Sequence, residues 1–254
     1  MLSRFFLFLS CLALVLPHDY DVAAFPPPPA DLSTAEILSK NAAVRGGLQA
    51  WQNVQTLSMS GKMDAGGKPN VELPFVMDLK RPRRSRLELT VGKDTAVQVF
   101  DGTNGWKVRP FLNRREVEPF TGDELKAAAS QADLDGPLME AAAKGMKVEL
   151  EKTETVEGRL AYVLKVTQPD GNPRRVWVDA STFLEIKIEG TPRRLDGKYH
   201  AVSTLLRDYR AVNGLQIPYV IETAVDGVKQ TEKIRIEKVV VNPKLEDSLF
   251  AKPH

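Results

Sequence analysis

Acid–base, nucleophilic or metal chemistry needs His, Cys, Asp or Glu side chains brought together, and this sequence offers few candidates. Its histidines are three: His18 near the N-terminus, His200 in a strand-like run, and His254 at the C-terminus. They supply neither a metal-ligand spacing nor a triad around a nucleophile. The acidic pairs Asp133/Asp135 and Glu246/Asp247 could act as acid and base, but both lie near helix starts and read more simply as caps and dipole partners. A hydrolytic centre would have to combine Asp133, Asp135 and His200, with no spacing that orients a nucleophile. Phosphate-cradling glycine loops, the HExxH pattern and a nucleophile elbow are all missing. The expectation is a non-enzyme with no catalytic residues, no metal and no cofactor.

Binding chemistry is better represented. The segments VELPFVMDLK and RSRLELTV alternate, with Val71, Leu73, Phe75, Met77 and Leu79 on one side of the first and Leu87, Leu89 and Val91 on one side of the second. Bulky, adaptable residues recur further on at Trp106, Phe111, Met139 and Met146. Small, Ala-rich helices above such a sheet leave room that larger side chains would have filled. An apolar cavity is therefore expected, lined by Leu73, Phe75, Met77, Leu87, Leu89, Val97, Val99, Trp106, Phe111, Leu138 and Met139. For each of these the plain alternative is an ordinary helix-on-sheet core; Trp106 is core or cavity wall according to the face it occupies.

The elements that would position them follow from period and turn chemistry. In LSTAEILSKNAAVRGGLQAW, Ser33 and Glu36 form a capping-box pair, and Ile37, Asn41, Val44, Leu48 and Trp51 recur at helical spacing, with Gly46-Gly47 ending or bending the helix. From Val54 the period becomes two. DGTNGW, between AVQVF and KVRPF, carries the Asp-Gly and Asn-Gly pairs of a tight hairpin. A second capping box, TGDE, and the segment DLDGPLMEAAAKG, with Pro137 at its start and Gly145 at its stop, predict two short helices inserted between strands. Seven further strand-like runs follow. The expected fold is mainly β with α (α+β): a strongly curved antiparallel sheet, an incomplete barrel, with helices packed on its concave face.

Composition bounds the setting. Lys and Arg number 35 against 33 Asp and Glu, a formal +2, which gives no basic field for nucleic acid; KRPRRSR reads as a solvated turn. Arg4 followed by the apolar run Phe5–Leu16 is too short to span a bilayer and fits a cleaved secretory signal over 1–24. Pro26–Ala30 then forms a stiff linker over 25–31, and 32–254 is expected to be a single domain. Cys11, the single cysteine, would leave with the signal, so the mature chain would rely on an ordinary core without disulfides.

KRPRRSRLE at Lys80–Glu88, followed by VFDGTNGWKVRPF at Val99–Phe111, resembles the outer-membrane lipoprotein-sorting carriers, the LolA/LolB-like half-barrels. NGLQIPYVIET and VNPKLEDSLFAKP look like segments of the broader lipoprotein-sorting-like periplasmic proteins. The resemblance implies a periplasmic protein holding acyl chains in an apolar cavity between half-barrel and helices. Its cargo and partners are not carried over from the family; a monomer that takes the acyl chains of a lipid or lipoprotein, with membrane-bound donor and acceptor proteins, is the separate expectation. The resemblance places the family's arginine before proline, which helps control opening and ligand holding, on Arg81; the family's following aromatic falls near Ser85, so that contact is missing. The chain is also longer than those carriers. The rival reading on the same scaffold is an envelope-stress sensor or regulatory module binding lipid or misfolded envelope protein.

Overall fold

The computed structural model describes residues 32–64 and 71–253; the expected signal segment and Pro-rich linker lie outside them. The described residues open with helix α1 (Thr34–Val44) and the short α2 (Leu48–Gln52). Strands β1 (Thr56–Asp64), β2 (Glu72–Lys80), β3 (Arg84–Val91), β4 (Asp94–Phe100), β5 (Gly105–Arg109) and β6 (Arg114–Pro119) follow, then helix α3 (Gly122–Gln131). The second half runs β7 (Lys147–Val156), β8 (Arg159–Thr167), β9 (Pro173–Asp179), β10 (Glu185–Glu189), β11 (Arg193–Leu195), β12 (Lys198–His200), β13 (Val202–Val212), β14 (Leu215–Val225) and β15 (Glu232–Val241).

Thirteen strands make one antiparallel sheet in the order β6-β5-β4-β3-β2-β1-β15-β14-β13-β10-β9-β8-β7, with β11 and β12 a separate hairpin. Two meanders are thus joined by the pairing of β1 with β15, and the large sheet curves without closing into a barrel. A bulge between Ser60 and Gly61 kinks that seam. Gly61 is required there, since a Cβ would stand 2.1 Å from the Arg235 carbonyl oxygen.

Both predicted capping boxes form: the Ser33 hydroxyl accepts from Glu36 N while Glu36 accepts from Ser33 N, and Thr121 and Glu124 repeat the pattern. The glycine pair ends α1, with φ of 113° at Gly46 and 89° at Gly47. Gly46 also packs so closely on the β13–β14 turn that a Cβ would meet the Gly214 carbonyl oxygen at 2.4 Å. Because the helix stops there, Ile37, Asn41 and Trp51 are buried while Val44 and Leu48 stand exposed, which corrects the continuous face expected for them. DLDGPLMEAAAKG is corrected too: it forms successive turns rather than a second helix. Gly136 (φ 79°) and Glu140 (φ 52°) both adopt left-handed backbone, which ends any helix.

Opposed residues share a face, so the register sorts the sheet into an inner and an outer side. Leu57, Leu79, Leu215 and Ile217 pack with Trp51 and Val54 of the α2 region and with Leu134 and Met139 of the turn segment. Tyr162, Leu164, Val166, Val176 and Val178 pack with Ile37 of α1 and Leu138. Phe100 meets Ala128 and Ala132 at α3. Among the described residues, all three α-helices therefore lie on the inner, concave side.

The outer side of the first meander carries a different cover. After β15 the chain turns back, and the Thr56 hydroxyl donates to the Pro243 carbonyl (2.7 Å), Lys80 to that of Leu245 (2.6 Å) and Arg86 to that of Leu249 (3.2 Å). Lys80 and Arg84 also pair with Asp247 at 2.7 and 2.9 Å. Register puts Thr56, Lys80, Arg84 and Arg86 on the outer side. The segment VNPKLEDSLFAKP is thus a strap ending in a 3-10 turn (Asp247–Phe250), with Phe250 only 1% exposed. Phe250→Ala should destabilise the protein by about 3–5 kcal/mol, measurable as a lower urea midpoint at unchanged slope. A midpoint within error of the parent would mean that the strap is not part of the core.

Candidate functional site

The predicted lining residues divide by face. Pairing of Met63 with Leu73, Phe75 with Leu89 and Met77 with Leu87 sets Leu73, Phe75, Met77, Leu87 and Leu89 side by side on the inner face. Met59 and Met63 of β1 join them, as do Ile221 of β14 and Ile234 of β15. Phe75, Tyr219 and Ile236 are buried at the floor, while Met59, Met63, Met77, Leu87, Leu89, Ile221 and Ile234 are half-buried. The result is a trough with an apolar floor and partly open apolar walls. Five half-buried unbranched or γ-branched residues here, Met59, Met63, Met77, Leu87 and Leu89, can re-pack around a flexible chain more readily than β-branched ones.

Val97, Val99 and Trp106 are not in this trough. Leu87 opposes Gln98, so Val97 and Val99 point to the outer face, where Val99 opposes both Arg86 and Trp106. Alternation marks two faces without saying which one is inner, and a single strand cannot reveal it. Trp106 is therefore a half-buried outer-face residue beside Pro119. DGTNG is the expected reversal, with Asp101 Oδ1 accepting from Thr103 N (2.8 Å) and Asn104 N (2.7 Å). Phe111, on the 3-10 turn Pro110–Leu112, is 40% exposed. Leu138 (4% exposed) and Met139 (1%) are inner-side core residues, packed in separate clusters beneath the helices. Surface hollows of about 400 Å³, beside Arg86 and the Lys244–Leu249 strap, and about 290 Å³, between Val156, Ile186 and Tyr209, are lined by none of the predicted residues.

What fixes the helices over one end of the trough is a buried charge network. Arg81 donates through Nε to the Val54 carbonyl (2.8 Å) and through a terminal nitrogen to the Trp51 carbonyl (3.2 Å) and Asp135 Oδ2 (2.8 Å). The Asp135 side chain is wholly buried and also accepts from Lys144, which donates at 3.0 Å to Asp133. Arg45 donates to the Asp135 backbone carbonyl (2.8 Å) and to Glu185 (3.1 Å) and lies 4.6 Å from the Trp51 ring centre. Burial pushes the Asp135 carboxyl up, but hydrogen bonds from Lys144 and Arg81 outweigh it and hold the group below its ordinary value. Burial also raises Asp133, and there Lys144 does not compensate, so it stays above its ordinary value.

The hydrolytic set does not assemble. His200 Nδ1 lies 2.9 Å from the Asp226 carbonyl, a contact in which Nδ1–H donates, while the two aspartates are engaged by Lys144 and Arg81. Among the described residues no group of His, Cys, Asp and Glu is placed to hold a metal ion.

The third helix packs on β4 and β5. Lys107 of β5 pairs with Glu124, Arg83 donates to the Ala129 carbonyl (2.7 Å), and the Tyr199 hydroxyl of the β11–β12 hairpin reaches Asp123 Oδ2 (3.3 Å). Arg193 of the same hairpin forms a bidentate pair with Glu232 at the start of β15. A curved open sheet with helices on its concave side and an apolar strip along that face can be matched to solved structures. A LolA superfamily protein from Nitrosomonas europaea aligns with a TM-score of 0.57 and 16% identity over 87% of this chain and 99% of that one.

The chain has the LolA-like fold. An outer membrane lipoprotein-sorting protein domain from Vibrio parahaemolyticus aligns at 0.55 and 12% identity, over 85% of this chain and 95% of that one. A DUF1329 family protein from Desulfovibrio piger aligns at 0.57 and 14%, over 84% and 97%. No family model and no curated protein matches the sequence. At these identities the LolA-like likeness concerns architecture and leaves residue roles to the geometry of this chain.

Sequence reasoning missed Met59, Met63, Ile221 and Ile234, although the alternation in TLSMSGKMD and in the last two strands carried the signal. The Arg45–Asp135–Lys144 network had no local signal at all, since its members come from distant segments. Asp135→Asn should cost about 3 kcal/mol, because it leaves buried cations without their carboxylate. Asp133→Asn should cost less than about 1 kcal/mol, since that charge is already disfavoured by burial. The folded-state value of Asp135 is depressed, so its contribution is full above the unfolded value and is lost as pH falls through the folded value, below about pH 4. Denaturant titrations against pH should show a shallower acid loss in Asp135→Asn than in the parent; parallel curves would contradict this assignment.

Proposed function

We propose that this protein is a non-enzymatic carrier of the cell envelope that holds acyl chains of a lipid or lipoprotein in the trough and hands them to a membrane-bound acceptor. The observation that carries this reading is the run of half-buried apolar side chains on the inner face, from Met59 and Met63 across to Leu89 and Ile234, inside a LolA-like fold. A soluble core would normally bury such residues fully, and here the helices stop short of doing so.

The energetics suit the role. Leaving an acyl chain of ~16 carbons in water costs on the order of 13 kcal/mol at ~0.8 kcal/mol per CH₂. Transport across an aqueous space then needs only a removable apolar container, and delivery needs a receptor with a better site. No bond is made or broken, so no catalytic group is required. Arg81 acts in this scheme through the helices: by holding the Trp51 and Val54 carbonyls and Asp135 it sets how far the helical cover can lift.

Delipidated protein should take up a fluorescent fatty acid, and Leu89→Glu, which sets a charge on the trough wall, should weaken uptake about tenfold or more while leaving the circular-dichroism spectrum unchanged. Failure of the parent protein to take up any acyl probe would remove the carrier reading. Retention of full affinity by Leu89→Glu would move the chain to another site.

A further inference from the structure

Arg174 is the cation on the inner face whose surroundings ask for a ligand. It opposes Val166 across β8 and β9, which fixes it on the concave side, beside residues that are 1% exposed or less. Its guanidinium is half-buried and bonds two neutral hydroxyls: one terminal nitrogen donates to Ser130 Oγ on α3, the other to Thr191 Oγ1 (2.8 Å) just before the β11–β12 hairpin. Among the described residues it has no salt-bridge partner, whereas neighbouring Arg175 pairs with both Glu151 and Glu189. The nearby Asp170 carboxylate is taken up by Asn172, which donates from its backbone at 3.0 Å and from its side chain at 2.8 Å. Burial pulls the Arg174 guanidinium below its ordinary value, partly restored by the field of Asp170.

A partly desolvated guanidinium is costly without an anion. Both hydroxyls accept from it, so each keeps its own proton to donate outward. One fixed cation flanked by two O–H donors is the chemistry of a carboxylate or phosphate receptor. Its position gives the anion a context. Thr191 lies two residues before Arg193, which clamps Glu232, and Glu232 lies two residues before the trough residue Ile234. The three groups come from β9, α3 and the hairpin root, on the same concave face of the sheet as the apolar strip.

We propose that Arg174, Ser130 and Thr191 bind the anionic head group, carboxylate or phosphate, of the molecule whose acyl chain lies in the trough. The proposal rests on the carrier reading and makes the cargo an acidic lipid. It gives the cargo a fixed orientation, chain along the strands and head at the seam between α3 and the hairpin. It also couples loading to α3 and the hairpin root, since the anion would draw them together.

The test compares a fluorescent fatty acid, its uncharged methyl ester, a lysophospholipid with a phosphate monoester head, and inorganic phosphate alone, on the parent protein, Arg174→Gln and Arg174→Lys. The parent should bind both acids at least about tenfold more tightly than the ester, as expected of charge-assisted hydrogen bonds. Arg174→Gln should abolish that preference while leaving ester affinity unchanged, and Arg174→Lys should restore part of it. Equal binding of acid and ester by the parent would overturn the proposal, as would a loss in Arg174→Gln that falls equally on both, which marks a structural role. Binding of inorganic phosphate as tightly as the lysophospholipid would replace the head-group assignment by a free-anion site. If no acyl probe binds while phosphate binds the parent and not Arg174→Gln, the trough reading fails and the head-group assignment with it, leaving the anion receptor alone.

Discussion

The fold hangs on one buried carboxylate. Asp135 sits in a stretch with no regular structure, yet its side chain is fully enclosed and its backbone carbonyl receives Arg45. Around it three cations, Arg45, Arg81 and Lys144, face three carboxylates, Asp133, Asp135 and Glu185, so the network closes without net charge. Removing such groups from water is expensive, and only multiple good hydrogen bonds offset it. What the arrangement secures is position: Arg81 reaches the last carbonyls of the α2 region, Arg45 stands at the end of α1, and Glu185 belongs to β10. Greasy side chains alone would let these short helices slide, because apolar burial has no direction.

With the helices pinned at one end, the rest of the concave face is left to α3 and the hairpin. Ala128 of α3 and Ala132 just past its end approach Phe100 closely, with Leu125, Ala129 and Phe120 packed around them. The helix and the hairpin are held chiefly by polar and charged contacts, Lys107–Glu124, Arg83 to the Ala129 carbonyl, Tyr199–Asp123 and Arg193–Glu232. Contacts of this kind, partly exposed, are individually worth little and exchange readily with water. The two regions of the concave face therefore differ in kind: a buried ionic clamp with a dense core where α1 and α2 lie, and a small apolar cluster held mainly by partly exposed polar contacts where α3 packs. Segments fastened in the second way open at lower cost than a buried ionic core.

Much of this was legible in the sequence, and the limits have physical causes. Period-two runs, turn dipeptides and two capping boxes fixed strands, hairpins and helix starts because those signals are local. The sheet's curvature and the inner position of the helices followed from the need to cover apolar faces. Val97, Val99 and Trp106 were misplaced since alternation says only that two faces differ; which one is inner depends on the pairing of Leu87 with Gln98 and on the covering strap. DLDGPLMEAAAKG has helical composition, but Asp135 is worth more to the structure in the clamp than as a cap, and Gly136 and Glu140 take left-handed backbone to deliver it. Nothing near position 135 announces Arg45 or Arg81, which lie 90 and 54 residues away along the chain.

The C-terminal strap explains why a sheet this large can afford to leave its inner face unfinished. A curved sheet must satisfy two faces, and the outer face of β1–β3 carries Lys80, Arg84 and Arg86, which an apolar partner could not cover. The strap meets them with backbone carbonyls and Asp247, and then places Phe250 in the core next to the carbonyl that Arg86 binds. That stabilisation is delivered from outside and needs no side chain from the concave side. The first meander is thereby fastened from its outer side, independently of what covers the half-buried apolar side chains of its inner face.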